Sequence, residues 1–332
     1  MGTCNKSEMV LSIVVMVVLL QLLPPANGQD PPQCNFNQKP PCPPTPTGLG
    51  HIVLVHGAGQ GQWYWYKVKP MLEAAGYFVS MVQLGPSVTM AVDSIENVNF
   101  TTYSQPLFDL MECLDHKVLL VAHSAGGFNI AVVMEKYPEK IQAGVFIAAY
   151  MPDTDHNMAY VLEQGGKKNP TDNWLDTCIM TSGKTTWYFF GDDFLRSKLY
   201  QMCPPEDIAL MQTQKRPGSF FINELAEIQL TKEKYGSVDR FYIVAGDDLC
   251  IDTDYQHEMV SNFPVKEAKM VNRSGHEVML SKPLDLSANI LDIARLYPSV
   301  FEIAHAAGDA SLAGSVEMRA KPDFIQRGAW WV

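Results

Sequence analysis

The chain has 332 residues, of which 47% are hydrophobic and 18% are charged, and its formal net charge is −11 at pH 7. This composition is typical of a globular protein with a large core, in one large domain or two smaller ones. The negative charge argues against nucleic acid or an anionic membrane surface as a partner and leaves a neutral small molecule open.

The first 28 residues have the pattern of a signal peptide. Lys6 precedes an apolar run over 10–23 that is short for a membrane span, and Ala26-Asn27-Gly28 has small residues where a signal peptidase reads. We expect cleavage near Gly28, secretion, and no stable membrane insertion afterwards. An uncleaved N-terminal anchor is the alternative. Sequons at Asn99 and Asn272 fit a secretory route.

Residues 29–48 are rich in proline and polar residues, which predicts an extended linker. Cys34 and Cys42 flank a short proline-rich segment and are able to pair in an oxidising compartment, although the sequence leaves the pairing open. Cys113 lies on a helical pattern, where we expect a buried free thiol. The cysteines lack CxxC or Cys/His spacing, so we expect no metal site.

From His51 onward, short apolar runs alternate with helical patterns, which predicts a parallel sheet with crossover helices. The strand candidates are 51–57, 77–84, 117–124, 143–151, 239–248 and 266–272. The helix candidates are 62–75, 103–115, 125–136, 252–261 and 285–297.

Two segments depart from this alternation. Residues 152–236 are rich in aromatic residues and methionine and show no clean strand, which predicts a cap over an active site rather than a surface decoration. Residues 301–332 show no pairing with the core, so we expect a C-terminal extension that either docks or is loosely ordered.

Ser124 lies in the run Val-Ala-His-Ser-Ala-Gly-Gly, between a predicted strand and a predicted helix. This context is typical of a nucleophile elbow, Gly-x-Ser-x-Gly, in which the positions two before and two after the serine must be small. Gly126 meets that requirement, and Ala122 adds only one methyl group. A helix N-cap serine is the alternative.

The loop after the first predicted strand reads His56-Gly57-Ala58-Gly59. Acyl transfer needs two backbone N–H donors for the developing oxyanion, one from such a loop and one from the residue after the nucleophile. We therefore predict Ala58 and Ala125 as the donors. A plain glycine-rich turn is the alternative.

Hydrolases of this architecture place the acid and then the histidine after the serine. The last long strand ends in Asp247 and Asp248, and either is a candidate acid. Of the later histidines, His257 lies within a helical pattern and His305 lies in the tail. His276 follows a strand through a loop and is predicted as the base.

Seven stretches together closely resemble the plant methylesterase family, the salicylic-acid-binding-protein type of α/β-hydrolase, which also includes hydroxynitrile lyases and an alkaloid-pathway aldehyde esterase. They are HIVLVHGAGQGQWYWYKVKPMLEAAGY, VAHSAGG, MEKYPEKIQAGVFIAAYMPD, NWLDT, FFGDDFL, YGSVDRFYIVAGDD and SGHEVMLSKP. The resemblance covers about 50–298. It implies an α/β-hydrolase domain over 49–300, with a mostly parallel six-stranded sheet, flanking helices and a mainly helical cap.

The resemblance also implies residue roles. It chooses Asp248 as the acid of a Ser124, Asp248, His276 triad, and it places Gly57 and Trp174 at the substrate. It implies methyl esters of small plant acids as substrates, such as salicylate, jasmonate or indole acetate, with no cofactor. Secretion would then lead to the apoplast, and the sequence leaves a homodimer open.

The sequence departs from the family pattern beside the site. Hydroxynitrile lyases of the family carry threonine and lysine where this chain has Gly57 and Glu277, which favours an esterase. Many family esterases have Cys-His at Gly59-Gln60 and methionine at Glu277. We expect Glu277 to add a negative charge beside the base. These changes motivate the alternative of a non-catalytic binder, with a lyase as the third choice.

Overall fold

The computed structural model describes residues 42–43, 48–85, 98–168, 170, 174–182 and 185–298. The predicted signal peptide, most of the predicted linker and the C-terminal extension lie outside the described residues. The chain divides into two units, Met1–Pro41 and Cys42–Val332, and the description concerns the second. Within the ranges just given, no helix is long and apolar enough to cross a membrane.

A six-stranded, wholly parallel sheet forms the centre of the domain, with the strand order β2-β1-β3-β4-β8-β9. Its strands are β1 (His51–Val55), β2 (Phe78–Val82), β3 (Val118–His123), β4 (Ile141–Ile147), β8 (Arg240–Ala245) and β9 (Glu267–Val271). Each predicted core strand is present, and the predicted fold class is confirmed.

Both faces of the sheet are covered, which explains why the core strands lack polar alternation. In β1, Val53 and Val55 belong to one buried cluster, while Ile52 and Leu54 belong to another. The covering helices outside the cap are α1 (Val68–Ala74), α2 (Phe100–Cys113), α3 (Gly126–Lys136), α8 (Thr253–Asn262), α9 (Val278–Ser281) and α10 (Pro283–Ala294).

Helix α2 begins three residues before the predicted start because Asn99 caps it. The Asn99 side chain accepts a hydrogen bond from the Thr102 backbone N–H at 2.8 Å, and the Thr102 hydroxyl accepts one from the Asn99 N–H at 3.0 Å. This reciprocal arrangement is a capping box, in which both partners satisfy N–H groups that the helix leaves free.

The insertion between β4 and β8 contains helices and a small sheet. The helices are α4 (Ala159–Lys168), α5 (Asp192–Phe194) with a π-helical continuation over Leu195–Leu199, α6 (Pro205–Gln214) and α7 (Ile222–Leu225). The strands β5 (Cys178–Ser182), β6 (Thr185–Phe189) and β7 (Gly218–Ser219) form an antiparallel sheet. The expectation of no clean strand in this segment is therefore wrong, because the threonine and aromatic residues of β6 favour extended structure.

The cysteine pairing also differs from the expectation. Cys42 forms a disulfide with Cys113, so Cys113 is not a buried free thiol and Cys42 does not pair with Cys34. The bond closes a sequence separation of 71 residues and ties the end of the predicted linker to the C-terminus of α2. Cys34 lies outside the described residues. The sequence did not indicate this partner because the fold brings together two cysteines that are 71 positions apart.

Candidate active site

Ser124 occupies a sharp turn between β3 and α3. Its φ is 54°, in the left-handed region that residues other than glycine rarely adopt. The turn is held at the Ser124 carbonyl, which accepts hydrogen bonds from the N–H of Gly127 at 3.1 Å and of Tyr150 at 3.2 Å. A strained serine fixed by its surroundings in this way is the geometry of a nucleophile elbow.

Small residues around Ser124 are required by close backbone contacts. A Cβ at Gly126 would lie 2.6 Å from the carbonyl oxygen of His56, and a Cβ at Gly57 would lie 2.9 Å from the Cβ of Ser124. Ala122, by contrast, is fully buried within β3 and packs in the core. The position two residues before the serine therefore accommodates a methyl group, whereas the position two residues after it does not.

Ser124, His276 and Asp248 form a continuous hydrogen-bonded chain. The Nε2 atom of His276 lies 3.0 Å from the Ser124 Oγ, and its Nδ1 atom lies 2.7 Å from Asp248 Oδ2. In the matching tautomer, Nδ1–H donates to the carboxylate and Nε2 accepts from the hydroxyl. Asp247, the other candidate acid, is exposed, whereas Asp248 is buried.

Three further donors hold the Asp248 carboxylate. Its Oδ1 accepts from the backbone N–H of Cys250 at 2.7 Å and of Ile251 at 2.9 Å, and its Oδ2 accepts from Gln256 Nε2 at 3.0 Å. Gln256 is fully buried and also accepts from the Ala245 N–H at 3.1 Å. These donors fix the direction of the carboxylate. Sequence reasoning missed Gln256, which lies on a helix with no motif around it.

The remaining candidate bases lie elsewhere. His257 is exposed on α8, and His305 lies outside the described residues. His56 is buried; its Nδ1–H donates to the Gly57 carbonyl at 2.7 Å, and its Nε2 accepts from the Leu84 N–H at 3.0 Å. Burial lowers the pKa of His56 to about 4, so its ring is neutral and serves to shape the loop after β1.

His123 holds the backbone of His276, the predicted base. Its Nε2–H donates to the backbone carbonyl of His276 at 3.0 Å, and the two imidazole rings lie 4.5 Å apart between centroids. Burial, followed by the charge of His276, holds the pKa of His123 well below its ordinary value. His123 is therefore a neutral positioning residue, as its place outside the base position suggested.

The predicted oxyanion donors lie in the expected segments. Ala58 follows β1 in the loop that His56 shapes, and Ala125 directly follows Ser124. Among the hydrogen bonds of the described ranges, neither backbone N–H donates to a protein acceptor. Both N–H groups therefore remain available for a substrate oxygen, which is the requirement for an oxyanion hole.

A cavity of about 340 Å³ opens at Ser124 and His276, and the cap supplies its apolar wall. Trp174 lies at the centre of an aromatic cluster, with ring centroids 5.4 Å from Tyr188, 5.5 Å from Phe194 and 5.8 Å from Phe220. The structure thus places Trp174 in the wall and Gly57 in the floor of the same cavity. Such a site suits a flat or apolar small molecule with one reacting polar group.

Burial opposes the negative charge that the sequence suggested for Glu277. Its side chain is only 1% exposed, and burial raises its pKa well above the ordinary value of 4.5, which favours the neutral acid. One of its oxygens, Oε1, accepts from Gln60 Nε2 at 3.4 Å. The expected charge assumed a solvated side chain, whereas the fold buries this one.

Comparison with known proteins places the chain in a family. The alpha/beta hydrolase family matches residues 52–289. Salicylic acid-binding protein 2 of Nicotiana tabacum is 46% identical over 254 residues, covering 74% of this chain and 98% of the relative. Methylesterase 3 of Arabidopsis thaliana is 42% identical, covering 74% of this chain and 97% of the relative. The solved structure of polyneuridine aldehyde esterase is 37% identical with a TM-score of 0.71, covering 74% of this chain and 99% of that chain.

The fold and these matches define an α/β-hydrolase, and the chain belongs to the alpha/beta hydrolase family. Within that family it belongs with the plant methylesterases, as the sequence resemblance indicated.

Proposed function

We propose that the protein is a serine carboxylesterase that hydrolyses methyl esters of small plant acids, of the salicylate, jasmonate or indole-acetate type. The observation that carries the proposal is the hydrogen-bonded chain from Ser124 Oγ through His276 to Asp248, at the floor of an apolar cavity. The names of the relatives, methylesterases and an aldehyde esterase, support the same reaction.

In this reaction Ser124 Oγ attacks the ester carbonyl carbon and its proton passes to His276 Nε2. The N–H groups of Ala58 and Ala125 donate to the resulting oxyanion. As the tetrahedral adduct collapses, His276 returns the proton to the departing oxygen and methanol leaves. Water then attacks the acyl-enzyme with His276 again as base, and the free acid is released. Asp248 stabilises the charged imidazole throughout.

The test is release of free acid from a panel of methyl esters with aromatic, cyclopentanone and indole acyl groups. We expect hydrolysis of at least one ester and loss of that activity in Ser124→Ala. Ser281→Ala is a matched control, because within the described ranges the Ser281 hydroxyl donates to the Glu277 backbone carbonyl at 2.9 Å and to no catalytic side chain. Absence of hydrolysis across the panel, or equal activity in Ser124→Ala, contradicts the proposal and leaves a non-catalytic binder.

We also propose that the chain is exported to the apoplast after removal of a signal peptide near Gly28. The apolar run over 10–23 supports this, and so does the Cys42–Cys113 disulfide, because such bonds persist in oxidising compartments. The test is expression of the full chain in leaves, with N-terminal sequencing of the protein in apoplastic fluid. Retention inside cells with Met1 intact contradicts export.

A further inference from the structure

A buried polar pair, Gln60 and Glu277, lies in the wall of the active-site cavity. Both side chains are almost fully buried, at 4% and 1% exposure, and both line the cavity that also contains Ser124 and His276. Gln60 connects the pair to the cap: its Oε1 accepts from the Tyr200 hydroxyl at 3.1 Å, while its Nε2 donates to Glu277 Oε1 at 3.4 Å. The Glu277 carboxyl is therefore held in one orientation.

The second carboxyl oxygen of Glu277 has no partner. Within the described part of the chain, Oε2 is buried and makes no hydrogen bond. The nearest ionisable nitrogen is His123 Nε2 at 3.9 Å, and its proton is already directed to the His276 carbonyl. Leaving a buried polar atom without a partner is destabilising, so an unpartnered oxygen on a residue that lines the cavity points to a bound molecule as its partner.

The protonation of the carboxyl decides what that partner must be. Glu277 is almost fully buried, and the Nε2–H of His123, 3.9 Å from Oε2, is directed to the His276 carbonyl, so the carboxyl has no cation partner there. A buried carboxyl without a cation partner favours the neutral form, and burial raises the pKa of Glu277 accordingly. Because Oε1 accepts from Gln60, Oε2 is the oxygen left to carry the proton of the neutral acid. A neutral carboxyl donates one hydrogen bond, whereas a carboxylate only accepts. Oε2–H therefore calls for an acceptor atom.

We propose that Glu277 selects the substrate by donating a hydrogen bond to a second oxygen on its acyl part, close to the ester carbonyl. The proposal rests on the proposed esterase function, in which the leaving alcohol is methanol and carries no further oxygen. Glu277 lines the same cavity as Ser124 and His276, and in this proposal its carboxyl serves atoms of the acyl part near the reacting carbon. The substrate class is methyl esters of acids with a keto, aldehyde or hydroxyl oxygen on the carbon two bonds from the carboxyl carbon and an apolar remainder for the aromatic cap.

The test compares methyl 3-oxooctanoate with methyl octanoate, since a ketone oxygen accepts hydrogen bonds and a methylene group does not. For each protein, kcat/KM on the keto ester is divided by kcat/KM on the plain ester. Comparing this ratio between variants cancels the intrinsic reactivity of the keto ester. We expect Glu277→Met to lower the ratio about tenfold, since it removes the donor from a desolvated site.

Glu277→Gln is the matched variant, because its amide N–H₂ still donates. We expect its ratio to stay within about threefold of the wild-type ratio. Thermal melting of each variant shows that it is folded. An unchanged ratio in Glu277→Met overturns the proposal. Loss of Ser124-dependent hydrolysis of every ester, including those of the wider panel, overturns the proposed function instead.

A second measurement does not depend on whether the Glu277→Met variant folds. Infrared difference spectra of Ser124→Ala against the double variant with Glu277→Gln isolate the carboxyl of Glu277. We expect a protonated-carboxyl band at neutral pH that shifts when methyl 3-oxooctanoate binds and shifts less with methyl octanoate. Absence of that band, or the same shift with both esters, overturns the proposal even if no variant is active.

Discussion

The two walls of the cavity are built in opposite ways. On the sheet side, Ser124, His276 and Asp248 are joined by hydrogen bonds, and buried Gln256 and His123 support them. On the cap side, the wall is formed by aromatic rings around Trp174, and the buried Tyr188 hydroxyl there has no hydrogen-bond partner among the described residues. The comparison indicates that the sheet supplies the chemistry and the cap supplies the shape that selects a substrate.

The largest effect is expected from a substitution of Asp248, the acid on the sheet side of the cavity. Asp248→Asn keeps the size of the side chain and removes the charge that orients and stabilises the His276 imidazole. We expect kcat to fall about 10³- to 10⁴-fold, with KM changing far less. Steady-state kinetics on the best ester of the panel measure both. Asp247→Asn is the matched control, since Asp247 is exposed and does not contact His276. Comparable losses in the two variants contradict the assignment of the acid.

A smaller effect is expected from a steric change at Gly57, also on the sheet side of the cavity. In Gly57→Ala, the new Cβ would lie 2.9 Å from the Ser124 Cβ and 3.1 Å from His123 Nδ1, so the nucleophile must shift. We expect kcat to fall about tenfold or more, since small displacements of reacting groups are costly. Gly166→Ala is the control, because nothing lies within 4 Å of a Cβ there. Unchanged kcat in Gly57→Ala contradicts the close packing of the loop against Ser124.

The cap side is tested at Trp174. Trp174→Ala removes the ring at the centre of the aromatic cluster, while Trp174→Phe keeps an aromatic side chain. We expect KM for an aromatic methyl ester to rise about tenfold in Trp174→Ala, with a smaller change in kcat. Kinetics on aromatic and short aliphatic esters separate the effects. A fall in kcat with an unchanged KM would indicate that Trp174 acts in the chemical step rather than in shaping the site for the substrate.

The smallest expected effect is on the pH dependence of stability, and it comes from the buried acid Glu277. Because the folded-state pKa of Glu277 is raised above 4.5, the native protein binds more protons than the unfolded chain above about pH 4.5. Stability from this group is therefore fully present below the unfolded pKa and is lost as pH rises through the folded pKa.

Glu277→Gln lacks this titration. The Tm of the variant minus the Tm of the wild type should therefore increase by at least about 3 °C from about pH 5 to about pH 8. Differential scanning calorimetry across that range measures the difference. A Tm difference that does not vary with pH shows that the carboxyl is not held in the neutral form.

The features that could be predicted from the sequence are those that local patterns determine. The strands, the elbow at Ser124 and the loop at Ala58 follow from local patterns, because apolar runs and small residues act on their immediate neighbours. His276 follows from its place in a loop after the serine and the acid, since His257 lies within a helical pattern and His305 lies in the tail. The choice between Asp247 and Asp248 needed the family resemblance, since both directly follow the same strand.

Long-range contacts escaped the sequence for a physical reason. Gln60 and Glu277 are 217 positions apart, and Cys42 and Cys113 are 71 positions apart. Nothing local to either partner marks such a contact, because the topology of the fold creates it. The burial of Glu277, which opposes the expected charge, escaped the sequence for the same reason, since burial depends on the whole fold.

The central claim is that Ser124 is an activated nucleophile, and a fluorophosphonate probe tests it most directly. We predict that intact-mass analysis of the wild-type protein shows one covalent adduct, that peptide mapping places the adduct on Ser124, and that labelling is lost in Ser124→Ala and strongly slowed in Asp248→Asn. A folded wild-type protein that stays unlabelled, or an adduct on another residue, contradicts the account.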